Sequence, residues 1–445
     1  MRAAHRPRGT AAKQPQNYAW VSSPLGSGSR QGEPVSAPLD GRTRVAVQLG
    51  KAASWLSRAA GRGSGAIIGG RVALALEPRA LERLTSGRRV ILVTGTNGKT
   101  TTTRMITEAL GARGEIATNA TGANMPDGHV AALMNKPKAG YAVLEVDEMH
   151  LDQVAEQAHP AMLVLLNLSR DQLDRVGEIR TVEQRIRKVV EANPNAVVVA
   201  NADDPFIVSA AQSAKDVEWV AMGSSWRGDS ASCPRCGHHI DTSTTEWHCT
   251  CGLRRPTPGW TFDGDTVTAP DGTKLELNLQ LPGAFNRGNA AVALATAYRQ
   301  GVRFQDIVMK LNQVSSVDGR YRDVNVNGRK ARLLLAKNPA SWLASLDLIS
   351  DGDRPMVLVV NSREADGFDV SWLWDVHFEQ LLGRRVVVAG GRAADLSVRL
   401  KYADVPHTVV KDSVAAIQSL PPGDVDVLAN YTAFRDLVAK VGSEK

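Results

Sequence analysis

At 445 residues the chain is long enough for two or three separately cored domains, because single cores stop growing near ~250–300 residues. Its net charge of +7 would suit a nucleic-acid partner, but residues 1–45 carry seven Lys/Arg against two acids; the rest carries only +2, which argues against DNA or RNA binding. All four cysteines fall within nineteen residues, which disfavours a disulfide framework and leaves no thiol free for catalysis, and the longest apolar run, Ala161–Leu166, is far short of a membrane span. With no apolar signal core behind the N-terminal arginines, the expectation is a soluble cytoplasmic protein.

Residues 1–45, rich in Arg, Pro, Gly, Ser and Gln, are expected to form a disordered basic tail. An apolar pattern (Val45, Val47, Leu49, Trp55, Leu56) then precedes a glycine-rich stretch from Gly61 to Gly70 and a short helix after Pro78. Strands are predicted at Val90–Val93, Tyr141–Val146, Ala161–Leu166 and Ala196–Ala200, separated by helices such as Thr101–Leu110 and Val182–Glu191. Continuous apolar runs alternating with helices argue for an α/β fold with a parallel sheet covered on both faces. Residues 224–260, rich in Ser, Cys, His, Thr and Trp, read as an inserted module; a short β segment near Leu275–Leu281 and a helix over Asn286–Gln300 follow. Beyond Gly319-Arg320 come strands at Arg332–Ala336, Met356–Val360, Arg385–Ala389 and Val425–Leu428, with helices at Ser341–Ile349, Val376–Leu382 and Ala433–Val441. The predicted domains are thus a tail over 1–45, a central domain over 46–320 and a smaller α/β domain over 321–445.

Strand Val90–Val93, the turn Gly95-Thr96-Asn97-Gly98, and Lys99-Thr100 opening a helix with Thr101 form a sequence that aims backbone N–H groups and a helix N-terminus at phosphate. Lys99 is expected at the β/γ oxygens and the Thr100 hydroxyl at Mg2+, although Val93 stands where the longer consensus has its first glycine. Glu145, ending an apolar strand ahead of Asp147 and Glu148, fits a second Mg2+ ligand. Cys233-x2-Cys236 and Cys249-x-Cys251 suit a tetrahedral Zn2+ between two knuckles; four sulfurs close the shell without His238, His239 or His248, so the zinc is expected to be structural.

The loop Gly95–Thr100 resembles the ATP loop of the Mur ligase superfamily, together with Asn167-Leu-Ser-Arg-Asp-Gln-Leu-Asp174, Asn201-Ala-Asp-Asp-Pro205, Pro282-Gly-Ala-Phe-Asn-Arg-Gly-Asn289 and Gly319-Arg320. The resemblance implies a central ATPase domain, with the four-cysteine zinc ribbon inserted in it, whose ATP phosphorylates a carboxylate that an amine then attacks. It also implies Asn201 and Asn286 at the adenine end, Arg320 in the nucleotide site and Glu145 on Mg2+. Gln172 and Phe285 stand where the superfamily carries histidines, and its carbamylated lysine falls near Ile186, which leaves the usual second Mg2+ without its ligands. A narrower resemblance, to the MurT-type subunits of lipid II isoglutaminyl synthases, rests on the four-cysteine insertion and on Ala336-Lys-Asn-Pro-Ala340, Ala365–Asp375 and Asn430-Tyr-Thr-Ala-Phe434. It implies amidation of the D-glutamate α-carboxylate in the lipid II stem peptide, with transient membrane contact through the substrate only. Glutamine hydrolysis needs a nucleophilic cysteine that this chain lacks, so a partner glutaminase is expected, which for this family is of GatD type. Asp369 or Asp375, beside Trp372 and Trp374, would orient the partner's catalytic histidine; Asp366 lies in the same stretch, and caps and core packing are the plain alternative. The rivals are a folylpolyglutamate synthase-like amino-acid ligase and a nucleotide-binding scaffold without turnover.

Overall fold

In a computed structural model, β1 (Arg89–Thr94) lies at the middle of a six-stranded parallel sheet because its side chains are apolar on both faces: Val90 and Leu92 enter one core, Ile91 and Val93 the other. The structure describes residues 34–59, 66–119, 122–170, 179–223, 228–241, 244, 246–315, 321–349 and 352–442. The predicted tail therefore lies mostly outside the described residues, and its boundary is corrected: a helix, α1 (Gly41–Ala59), begins within it. α1 is followed by α2 (Ala66–Leu76), which takes in the end of the glycine-rich stretch, and by α3 (Ala80–Thr85). The glycines serve contact: a Cβ on Gly50 would lie 2.5 Å from the Gly69 carbonyl, so the lack of a side chain there lets the two helices approach closely.

The central sheet runs β2 (Ile116–Thr118), β3 (Tyr141–Glu145), β1, β4 (Met162–Leu165), β5 (Val197–Asn201), β6 (Val217–Val220). One face is covered by α1 to α3, α5 (Pro126–Asn135), α6 (Leu151–Ala158), α7 (Ile179–Ala192) and α8 (Pro205–Ala211). The other is covered by α4 (Lys99–Ala109), α9 (Ala284–Arg299), α10 (Phe304–Leu311) and a small antiparallel sheet of β7 (Thr261–Asp263), β8 (Thr266–Thr268) and β9 (Lys274–Glu276).

A second sheet has the order β10 (Tyr321–Val326), β11 (Arg329–Leu335), β15 (Gly423–Ala429), β12 (Met356–Val359), β13 (Val386–Ala389), β14 (His407–Val409). Only β10 is antiparallel to its neighbour. Its helices are α11 (Pro339–Ile349), α12 (Ala393–Tyr402), α13 (Ser413–Gln418) and α14 (Tyr431–Gly442). The helix predicted over Val376–Leu382 is instead a 3-10 turn, Phe378–Leu381, preceded by another over Ser371–Asp375. Trp342 anchors this core, fully buried, with Trp372 and Phe378 rings 5.7 and 5.8 Å from its own.

Candidate active site

Parallel strands deliver their C-terminal ends to one edge, and the polar residues gather there. The turn after β1 holds Gly95 and Gly98, with positive φ of 134° and 86°, and Gly98 caps α4. A Cβ on Gly98 would meet the Asn289 amide oxygen at 2.8 Å, so α9 is pressed against the loop. The loop is held by side chains predicted only as part of a motif. Thr96 N–H donates to the Asn167 carbonyl at 2.8 Å, and the Asn167 side-chain amide grips the Asn97 backbone, its Oδ1 accepting Asn97 N–H at 2.9 Å and its Nδ2 donating to the Asn97 carbonyl at 3.0 Å. Ser169 N–H donates to Thr96 Oγ1 at 3.0 Å, and Asn97 Nδ2 to Ser169 Oγ at 3.1 Å. Asn338, at the start of α11, donates to Asn97 Oδ1 at 3.2 Å, so the second sheet's domain touches the phosphate loop itself.

Lys99 is buried and folds back, its ammonium donating to the Gly95 carbonyl at 2.6 Å and to Glu148 at 3.1 Å. Burial opposes its charge, but Glu148, Glu145 and Asp147 outweigh that and hold it above the ordinary lysine range. Glu145, paired in register with Val93, is 3% exposed. Its backbone is gripped in both directions by Asn119, each bond 2.8 Å, and its carbonyl also accepts the His129 Nε2–H at 2.7 Å. The Glu145 Oε2 atom has no hydrogen-bond partner, and a buried carboxylate oxygen left bare beside a phosphate loop fits a hard cation. Thr100 and Thr101 follow on the first turn of α4, with Thr101 buried.

Next to the loop opens a cavity of about 650 Å³, lined by Asn97, Gly98, Asn201, Asn286 and Phe285, by Trp247 of the inserted module and by Ser345 of α11. Asn201 Oδ1 accepts the Asp203 N–H at 2.9 Å, and Asn286 Nδ2 donates to the Pro282 carbonyl at 2.7 Å. Asp204 caps α8 and also accepts Leu168 N–H at 2.7 Å; burial pushes its carboxyl up to about 6 against these backbone donors. Arg320 and Gln172 lie outside the described residues. Ile186 sits fully buried in the apolar core.

The four cysteine sulfurs lie within 4.8 Å of one another, with Cys233–Cys251 at 3.6 Å and Cys236–Cys249 at 3.4 Å. Sulfurs on a tetrahedral zinc of ~2.3 Å bonds stand about 3.8 Å apart, so the donor set fits Zn2+. Each knuckle turns through a left-handed glycine, Gly237 and Gly252. The module is riveted to the cavity wall: Arg255 pairs with Asp203 at 2.8 Å, and Asp203 accepts Met222 and Gly223 N–H, both at 2.8 Å.

In the second domain Asp369 accepts Ser371 N–H and Oγ–H at 2.8 and 2.9 Å, capping the 3-10 turn. Asp375 pairs with Arg170 at 3.2 Å, and Arg170 also pairs with Asp229 of the insertion. Asp366 accepts Thr432 N–H at 2.8 Å. Trp374 is 53% exposed and contacts Tyr402, whereas Trp372 joins the core. Glu148 was named from sequence only as an acid following Glu145, Arg170 only inside the motif Asn167–Asp174, and His129 not at all, because a buried histidine on a glycine-containing helix gives no signal.

The sequence matches the Mur ligase middle domain over residues 93–297 and the MurT ligase C-terminal domain over residues 335–434. Among solved structures, a pseudomurein peptide ligase type C from Methanothermus fervidus superposes with a TM-score of 0.63 at 19% identity, covering 83% of this chain and 84% of that one. MurF ligase from Thermotoga maritima in complex with ADP gives 0.60 at 16% identity, covering 84% of each chain; both likenesses concern the fold. Lipid II isoglutaminyl synthase (glutamine-hydrolyzing) subunit MurT of Streptococcus pneumoniae is 28% identical over 89% of this chain and 97% of its own length. The Staphylococcus aureus subunit of the same name is 30% identical over 90% of this chain and 98% of its own length. With both halves matched and the relatives spanned almost end to end, the chain belongs to the MurT family of Mur ligases.

Proposed function

We propose that this chain is the ATP-dependent synthase subunit of a lipid II isoglutaminyl synthase, amidating the α-carboxylate of D-glutamate in the stem peptide. A carboxylate oxygen of the acceptor takes the γ-phosphoryl group and ADP leaves; ammonia then attacks the acyl carbon and the C–O bond to phosphate breaks, giving D-isoglutamine and inorganic phosphate. Catalysis of this kind is positioning and charge stabilisation. Lys99 exchanges Glu148 and the Gly95 carbonyl for phosphate oxygens. Gly95 to Thr101 would present backbone N–H groups to the phosphates; Asn201 and Asn286 would line the adenine end, with Arg320 nearby. Glu145 and Thr100 would hold Mg2+, which when bound neutralises phosphate charge. The single observation that carries this reading is the bare, buried Glu145 oxygen beside Lys99 at a phosphate loop.

All four cysteines are committed to the metal cluster, which supports ammonia arriving from a partner glutaminase of GatD type. The exposed apolar surface of Phe368, Trp374, Val398 and Tyr402 on the second domain is where that subunit would dock, with Asp369 or Asp375 reaching its catalytic histidine. The test is mass spectrometry of the stem peptide after incubation of the copurified complex with ATP, glutamine and lipid II. A loss of about one dalton is expected, abolished by Lys99→Ala and restored to the lone chain by ammonium salts. Added mass from an amino acid, or ATP binding without turnover, overturns the reading. Asp369→Asn and Asp375→Asn variants that both keep full glutaminase activity remove those acids from the partner's site.

A further inference from the structure

Residues 41–76 contain six basic side chains and no acidic one, although the chain beyond residue 45 is close to balanced in charge. In α1 the buried positions Thr43, Ala46, Val47, Gly50 and Ser57 mark one face. The opposite face is apolar where solvent would favour polar groups: Val45, Leu49 and Leu56 follow one another along it, with Trp55 beside them, and Ile67 and Ile68 of α2 are exposed too. Trp55 is 63% and Leu56 59% exposed, high for large apolar side chains on a helix that packs against its neighbours. Arg44, Lys51 and Arg58 recur every seven residues along the flank of that stripe. Helices with an apolar stripe, a bordering Trp and a Lys/Arg row lie in the plane of a bilayer, and their lack of acids complements anionic headgroups.

We propose that the α1–α2 hairpin is a docking surface for anionic phospholipid, with the apolar face of α1 seated at the headgroup–acyl boundary. The hairpin is also rigidly tied to the phosphate site. A Cβ on Gly70 would overlap the Asp127 carbonyl, so α2 lies against the start of α5, and Arg71 pairs with Asp127 at 3.3 Å. α5 in turn carries His129, which bonds the Glu145 carbonyl. A chain lying on this hairpin holds its phosphate loop at a fixed height above the lipid, which suits an acceptor that is itself lipid-linked. In that respect the proposal rests on the functional reading above, and it replaces contact through the substrate alone with contact through the protein.

The test uses the full chain with its copurified partner and vesicles of phosphatidylcholine, alone or mixed equally with phosphatidylglycerol. Cosedimentation is expected with the mixed vesicles only, weakening as salt rises. Lys51→Glu and Arg58→Glu should each lower the partition coefficient about fivefold or more. Trp55→Ser combined with Leu56→Ser should lower it while leaving the salt dependence in place. All of these variants should amidate a detached, water-soluble acceptor at the wild-type rate, which shows that they fold. Absence of binding to the anionic vesicles, or variants that bind as the wild type does, overturns the proposal. So does a wild-type chain whose self-association in the absence of lipid is lost in Leu56→Ser, because the face is then an interface between copies. Failure of the wild type to amidate the soluble acceptor while binding vesicles would count against the functional reading instead.

Discussion

Lys99 is paired with Glu148 at 3.1 Å, so on the proposed function a nucleotide would have to replace Glu148. Glu148→Gln removes that competitor while keeping the side chain's shape, and it is expected to tighten ATP binding in calorimetry, with slower amide formation if Glu148 also steers the lysine's return. His129 is a second residue-scale case. Its Nε2–H serves the Glu145 carbonyl, its Nδ1 is buried with no partner, and burial pushes its pKa down to about 4 from the usual 6.5. A proton on Nδ1 would be stranded; Asp127 opposes that effect and His150 adds to it. The folded state therefore binds fewer protons than the unfolded chain between those values, so stability is full near pH 7 and is lost as pH falls from about 6.5 towards 4, by about 3 kcal/mol from this group. Thermal unfolding followed from pH 7 to pH 5 should show a shallower fall in His129→Gln than in the wild type. None of this was visible in the sequence, where a histidine inside Asp-Gly-His-Val has no partner to announce it.

The secondary elements that can be read from sequence are those whose side chains are apolar on both faces. Val90–Val93, Met356–Val359 and Val386–Ala389 are continuous runs and were placed to within a residue or two. β2 has three residues and α5 opens with Pro-Asp-Gly, which reads as a turn, so both were missed. The glycines of α2 carry no helix signal in the sequence; in the structure they mark close helix packing. Gly70→Ala, which would drive a Cβ into a backbone carbonyl, should lower stability by about 1–3 kcal/mol, measured by chemical denaturation. The four-cysteine module is a buttress in the same sense, presenting Trp247 to the cavity and Arg255 to Asp203. Cys236→Ser, or a strong chelator, is expected to raise the KM for ATP on the order of tenfold, and metal analysis should show zinc lost in parallel.

Across the whole molecule, Arg170 joins three parts: the central sheet's loop, Asp229 in the insertion and Asp375 in the second domain. With Asn338 on Asn97, it fixes the second domain against the phosphate loop. Arg170→Ala should broaden the domain arrangement in small-angle scattering, and its combination with Asp375→Asn should be non-additive in stability by about 0.5–3 kcal/mol. The parallel architecture and the division into two α/β layers were legible from apolar runs; this junction was not, because an arginine and two aspartates far apart along the sequence leave no pattern in one chain.

The order of strands in the second sheet has a consequence for biosynthesis. β15, near the end of the chain, lies between β11 and β12, both made long before it. As the polypeptide leaves the ribosome, the halves on either side have no common neighbour until Gly423–Ala429 emerges. The phosphate-loop domain can therefore mature early while the second domain waits. A chain cut before Gly423 should yield a protease-resistant fragment ending near the close of α10 and a second domain that is digested.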